Sequence, residues 1–217
     1  MITDITRWGA FKPLLCAFFV LGLSGVLLAQ VAPHAGGAAE RDILRVRRFP
    51  KPSKALLLRT PEYNTSVARS GGSRRPREWM VHETNYETRP EWIDSLDFSY
   101  TVMMENRTPD GKKEFNLFQA TIRYSDIAKG EHIACVVLPP PATARFGEIA
   151  GIALEIAMDG NIIETQSEVK IDGLPAEWWK NPRVLDNPNV VRRPGYLVDR
   201  SKTPFGLVNI DNYEMVK

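Results

Sequence analysis

The chain has 217 residues, with 28 Lys and Arg against 26 Asp and Glu. This length allows one ordinary domain with a sizeable core and excludes a large multidomain protein. Two cysteines, Cys16 and Cys135, are too few for a disulfide framework or for a zinc site built from cysteines.

The first thirty residues predict export from a bacterial-type cell. Two basic residues precede an uncharged apolar run, Leu14 to Leu28, which is followed by Ala29. This order is typical of a signal peptide, here residues 1–29, and the run is shorter than the roughly 20 apolar residues of a membrane-spanning helix. Leu27 is large for a position so near the cut, so an uncleaved N-terminal anchor is the alternative. The expected location is the periplasm, the outer membrane or the cell surface.

The next segment, residues 30–78, is predicted to be a largely disordered basic linker, called the arm below. Residues 32–78 contain eleven Lys and Arg against four Asp and Glu, a net charge of +7. Residues 79–217 contain fifteen against twenty-one, a net charge of −6. The arm is also rich in Pro, Gly and Ser, which disfavour regular structure. Two short apolar stretches, 43–49 and 55–58, are exceptions that could be docking strands or helical turns.

Three arginines near the end of the arm are candidate contacts with an anionic surface: Arg74, Arg75 and Arg77. Clustered basic side chains bind anionic lipids, cell-wall polymers or acidic proteins. The alternative is a solvated tether that holds the following domain away from the membrane. Nucleic acid is not an expected partner for an exported protein, and membrane association is expected only through an uncleaved signal or through the arm.

Residues 79–217 show the alternation of an all-β domain. A first strand is predicted at 79–86. Apolar and polar residues then alternate over 98–104 and again over 118–124, on either side of the turn sequence Thr108–Gly111. These two stretches predict a long hairpin. The apolar parity breaks at Leu117–Phe118, which predicts a β-bulge there.

Further strands are predicted towards the C-terminus. The apolar run 133–138 predicts a short central strand, which Pro139 ends because proline cannot donate to the ladder. A second hairpin is predicted around Asp159–Gly160, although the Ala-rich stretch before it could be helical. A helical turn is predicted at 175–180, and the last strands at 195–198 and 205–210. About seven strands with regular turns predict an immunoglobulin-like β-sandwich, with a barrel as the alternative.

The domain has no motif for catalysis, metal binding or cofactor binding. His82 and His132 have no second ligand residue at metal spacing, and Cys135 lies in an apolar run, where a small buried side chain is expected. Nucleophile-elbow and phosphate-loop patterns are missing from the sequence. The chain is therefore predicted to be no enzyme and to use no cofactor, although a Ser-His-Asp arrangement need not be visible in sequence.

Trp178 and Trp179 are the candidate contacts with a glycan or a protein partner. Flat indole rings cover much area at low entropic cost, and this pair lies in a turn-rich region. The alternative is that both rings close one end of the core. Trp79 and Trp92 are expected to pack in the core or at a sheet edge.

The segment from Glu91 to the C-terminus resembles a known group of proteins. The shared short motifs are Trp92-Ile93 before a long hairpin and the Lys-Thr-Pro-Phe-Gly sequence at 202–206. The segment is similar to small exported proteins of Verrucomicrobia-type bacteria, the Akkermansia pilus-cluster proteins. The resemblance implies an immunoglobulin-like sandwich, encoded beside type IV pilus-like genes and without known enzymatic activity.

These observations predict an exported, non-catalytic β-sandwich that is an interaction or structural component of a cell-envelope or type IV pilus-like assembly. Its expected partners are envelope or pilus-like proteins. The alternative is a glycan-binding module or adhesin that uses surface tryptophans.

Overall fold

The structure is a computed structural model that describes residues 43–61, 77–214 and 216. The predicted signal peptide and part of the arm, including Arg74 and Arg75, lie outside the described residues. The predicted boundary between arm and domain at residue 78 stays a prediction.

The described residues form eight strands and two short α-helices. The strands are β1 (Leu44–Arg48), β2 (Leu57–Arg59), β3 (Glu78–Arg107), β4 (Lys113–Leu138), β5 (Glu148–Met158), β6 (Asn161–Val169), β7 (Val190–Arg192) and β8 (Val198–Asp199). The helices are α1 (Pro140–Phe146) and α2 (Pro182–Leu185). Both predicted hairpins are present, and the all-β prediction is confirmed.

Two long antiparallel strands, β3 and β4, are the centre of the fold. Their register pairs Phe98 with Ile122 and continues to Arg107 opposite Lys113. The turn between them closes through a bond from the Thr108 amide to the Lys112 carbonyl (2.9 Å), with Gly111 at a φ of 80°. Glycine has no Cβ and adopts this positive φ at little cost. Alternating residues and a glycine turn are therefore sufficient to specify this hairpin.

Both long strands bend together, and the bend folds the sheet into two facing layers. The register shifts between Thr88 and Trp92 on β3, where β4 has Gly130 at a φ of 138°. One layer has the order β6-β5-β3-β4-β7, and in the other the first part of β3 pairs with β1 and β2 while β4 pairs with β8. The layers meet face to face, since the Tyr100 hydroxyl donates to Thr84 Oγ1 across the core (3.1 Å). The result is sandwich-like, with β3 and β4 shared by both layers.

The predicted bulge at Leu117–Phe118 is wrong. The β3–β4 register runs through Met103–Leu117 and Val102–Phe118 without a shift. The apolar parity breaks because the sheet is buried on both faces here. Phe118 packs in the core between the layers, whereas Leu117 and Met103 pack outside it against a second apolar cluster.

The arm contributes directly to the second layer. β1 pairs antiparallel with β3 through Leu44–Thr88, and β2 pairs through Leu57–Met80. Leu44 and Leu56 are buried in the main core. Both apolar exceptions in the predicted linker are therefore ordered, one as a docking strand and the other as a 3-10 turn followed by a strand.

His82 on β3 contacts two arm residues, Phe49 and Pro50, from within the core. Its side chain is fully buried, Nε2 lies 3.2 Å from the Pro50 carbonyl oxygen, and the ring packs edge-on against Phe49 at 4.6 Å. Burial lowers the pKa of His82 from 6.5 to about 4, and the hydrogen bond to Pro50 partly offsets this shift by raising the pKa. A neutral ring that donates through Nε2 fits this site, because a carbonyl only accepts.

Lowering the pH from 7 to 4.5 is expected to destabilise the protein through His82. In this interval the unfolded residue takes up a proton and most of the folded residue does not. The unfolded state therefore binds more protons, and stability decreases as the pH is lowered. The loss is about 2–3 kcal/mol. Urea unfolding at the two pH values measures it. His82→Gln keeps an N–H donor without a charge and should flatten this part of the pH dependence; an unaltered slope would contradict the assignment.

The C-terminal segment covers the outer face of the second layer. Phe205 and Tyr213 pack there with Cys135, which is buried as predicted. The strand predicted at 205–210 is wrong, because 3-10 turns occupy Pro204–Leu207 and Ile210–Asn212. Proline sets a helical φ at the start of the first turn, and the Thr203 hydroxyl caps it by accepting from the Phe205 amide (3.3 Å). Of the strand predicted at 195–198, only Val198 becomes part of a strand, β8.

Candidate interaction groove

Trp178 and Trp179 are both buried, at 2% and 7% exposure. Trp178 Nε1 donates to Ser167 Oγ (3.0 Å), and its ring lies against Gly151, where a Cβ would come within 3.1 Å of it. The two indoles pack edge to face with centroids 5.8 Å apart. The pair covers the outer face of the first layer, so this placement gives no support to the predicted glycan or partner contact, which stays a prediction.

The exposed tryptophan is Trp92, at 68% exposure. It lies at the bend of the sheet, opposite Ala128 and next to the ion pair between Glu91 and Lys129. The sequence predicted core or edge packing for Trp92. The irregular register at the bend turns this side chain outward. Apart from the nearby Pro90, nothing in the sequence predicts that irregularity.

Three side chains in contact, Glu214, His132 and Thr88, follow the acid–histidine–hydroxyl order of a catalytic triad. His132 lies between Glu214, which contacts Nδ1, and Thr88, whose Oγ1 is 3.0 Å from Nε2. However, the Thr88 hydroxyl donates to the Ala128 carbonyl (2.7 Å), and His132 Nε2 lies 2.8 Å from the same oxygen. The hydroxyl and the ring are therefore committed to the sheet and to the C-terminal segment. A buried threonine with this geometry is a structural group, not an activated nucleophile.

Metal binding has no support within the described residues, since no group of three or more His, Cys, Asp or Glu side chains converges there. No helix in the same residues is long and apolar enough to span a membrane.

A concave apolar surface, called the groove below, lies where the arm meets the domain. It has a volume of about 520 Å³ and lies between the arm turn at Lys54, the start of β3, helix α1 and the start of β5. Its apolar lining is Leu57, Met104, Pro140, Pro141, Ala144 and Ile149. Helix α1 is fixed by Phe146, which packs against Phe118 at 5.4 Å, and by the Thr143 hydroxyl, which donates to the Glu78 carbonyl (3.0 Å).

Charged side chains lie at the rim of the groove. They are Lys54, Arg77, Glu78, Glu148 and Lys170. Lys170 pairs with Glu148, and this hydrogen bond lowers the pKa of the Glu148 carboxyl, with a smaller contribution from Lys54. Arg77, predicted to contact an anionic surface, is thus part of a mixed but net positive rim. The remaining two predicted arginines lie outside the described residues.

The sequence did not reveal the groove. Its walls come from the arm and from the three prolines after β4, which predicted only the end of a strand. Pro140 instead opens helix α1, a favourable place for proline because the first helical amide has no partner within the helix. The contact between the arm and this helix is a long-range tertiary contact, which no local sequence pattern predicts.

Gly147 fixes the junction between α1 and β5 at the groove. Its φ is 84°, and a Cβ there would overlap the Glu105 carbonyl oxygen. Gly147→Ala is expected to lower the free energy of unfolding by at least about 2 kcal/mol, from backbone strain and overlap together. Gly111→Ala is the matched control: its φ is 80° with nothing within 4 Å, so only about 1 kcal/mol is expected. Equal losses in urea unfolding would contradict this account.

Comparison with known proteins places the chain in a family. A family model matches residues 51–217, which is well over half of the chain. The chain belongs to the family that this model defines. The match includes β2 and the groove as well as the domain. No curated protein matches the chain.

A solved structure shares the fold. A crystal structure of a protein from Akkermansia muciniphila superposes with a TM-score of 0.63 and 21% sequence identity, covering 80% of this chain and 94% of that one. At this identity the match establishes the fold. The predicted resemblance to Akkermansia proteins is confirmed, and the sandwich architecture is found again in an experimental structure.

Proposed function

We propose that the chain is an exported, non-catalytic β-sandwich that serves as an interaction or structural component of a cell-envelope or type IV pilus-like assembly. The observation that carries the proposal is the joint surface of arm and domain. The arm supplies strands and core side chains and also forms one wall of the groove. A segment this well integrated holds the interaction surface in a fixed position relative to the domain.

Further observations support the non-enzymatic role, the export and the setting. Thr88 and His132, which most resemble a catalytic pair, are committed to structural hydrogen bonds. The N-terminal pattern supports export, and the resemblance to Akkermansia pilus-cluster proteins supports an envelope or pilus-like setting.

The test is a pull-down from native envelope with the full exported chain, followed by mass spectrometry at low and high salt. A defined envelope or pilus-like protein, retained in near-stoichiometric amount, is the expected result. A variant with Arg74, Arg75 and Arg77 changed to Gln separates the arginines from the rest of the surface. A variant with Lys112 and Lys129 changed to Gln controls for the loss of exposed positive charge elsewhere. Retention of no defined protein would contradict the proposal.

A further inference from the structure

We propose that the groove binds an amphipathic anion, a molecule with one flexible apolar chain and a carboxylate or phosphate head. This inference concerns a small-molecule site. It assigns a small-molecule ligand to the groove itself, whereas the proposed assembly role concerns a protein partner of the wider arm–domain surface, and calorimetry with the purified chain tests the ligand without that partner.

The shape and lining of the groove fit an apolar chain. Its volume of about 520 Å³ lies within the roughly 300–1,000 Å³ of typical small-molecule sites. Aliphatic and proline carbons form most of the lining, which offers few partners for the hydroxyls of a sugar. A polar ligand would lose its hydrogen bonds to water without replacement, whereas an apolar chain gains from leaving water.

The rim favours an anionic head. The groove lining contains three cations, Lys54, Arg77 and Lys170, and two carboxylates, Glu78 and Glu148. Lys170 is already paired with Glu148. An anion near Lys54 and Arg77 would balance the excess positive charge, and a guanidinium can bind a carboxylate or phosphate through two parallel hydrogen bonds.

The arm is required for this site. Leu57 and Lys54 come from the arm, while Met104 and Ile149 come from the opposite layer. The Leu57 side of the groove and the Lys54 cation are therefore in place only when the arm is docked on β3, whereas Arg77 directly precedes β3. A ligand in the groove would contact both parts and stabilise their association, since it binds only the docked form.

The test compares three ligands with the same twelve-carbon chain and different heads: dodecanoate, dodecyl maltoside and dodecyltrimethylammonium. Each is titrated below its micelle concentration into the exported chain, with calorimetry as the readout. One dodecanoate per chain is expected, bound at least about tenfold more tightly than the other two, as charge-assisted hydrogen bonds imply. Equal affinity for all three would overturn the inference, because the rim would then not select the head.

Variants locate the binding. Lys54→Glu combined with Arg77→Glu should remove the preference for dodecanoate over the other two ligands. Ala144→Phe should block binding of the ligand's apolar chain, since Ala144 is exposed within the groove. Lys129→Glu combined with Arg123→Glu is the charge-matched control, since both residues are on β4 and outside the groove lining. Thermal unfolding confirms that each variant is folded. Unchanged dodecanoate binding in both groove variants would overturn the assignment.

Vesicles distinguish the two sources of such an anion. Sedimentation with phosphatidylglycerol vesicles, compared with phosphatidylcholine vesicles, shows whether a membrane lipid can occupy the groove. Binding to the anionic vesicles that is lost in Ala144→Phe assigns the ligand to the membrane. Binding of free dodecanoate alone assigns it to soluble amphiphiles.

Discussion

Trp178→Ala is expected to lower the free energy of unfolding by about 3–5 kcal/mol, the usual cost of removing a buried large aromatic side chain. The indole is 2% exposed, donates to Ser167 and fills the space above Gly151. Alanine would leave a cavity between the sheet and the segment that covers it. Urea unfolding followed by circular dichroism measures the loss.

The matched control is Trp92→Ala. This indole is 68% exposed, and removing it is expected to change stability by no more than about 0.5 kcal/mol. A Trp178→Ala protein with undiminished stability that has lost glycan or partner binding would reverse the conclusion. It would mean that the ring is a surface contact.

Leu44→Ala is expected to cost about 2–5 kcal/mol, although Leu44 belongs to the segment predicted as a linker. Its side chain is 3% exposed and lies in the main core, and its strand pairs with β3 at Thr88. A solvated tether would tolerate this change without loss. Urea unfolding measures the cost, and limited proteolysis of the arm should become faster in the variant.

Leu58→Ala provides the control within the same arm. Leu58 is in β2 but 43% exposed, so its truncation should cost well under the value for Leu44, about 0.5 kcal/mol. If both variants kept wild-type stability, the arm would be undocked in solution, and the groove would lack one wall.

The strands that the sequence predicted correctly are those specified by local pattern. Residues 98–104 and 118–124 alternate on either side of a turn that contains a glycine, and Asp159–Gly160 joins two more alternating stretches. Period-two alternation and positive-φ turns are properties of neighbouring residues, so they are visible without knowledge of the fold.

The features that the sequence did not predict depend on distant contacts. The burial of Trp178, which the sequence left open as an alternative, requires Gly151 beneath it, 27 positions earlier in the chain. β1 becomes a strand because β3 offers it an edge, although its own sequence is short and strongly basic. The groove needs the arm and the prolines after β4 to meet. The sequence predicted that the basic arm contacts an external anionic surface, whereas two of its cations pair with the domain itself, in Arg47–Glu87 and Lys51–Glu168.

The bend in β3 and β4 has a consequence for how the protein unfolds. In an ordinary sandwich the two sheets are separate hydrogen-bonded units, joined by loops and by the core between them. Here the same two strands run through both layers, with backbone pairing on either side of the bend. When one layer opens, β3 and β4 lose backbone pairing on that side of the bend, and the same two strands are then less stably paired in the other layer. Amide protection against hydrogen exchange should therefore be lost from both layers in a single cooperative step.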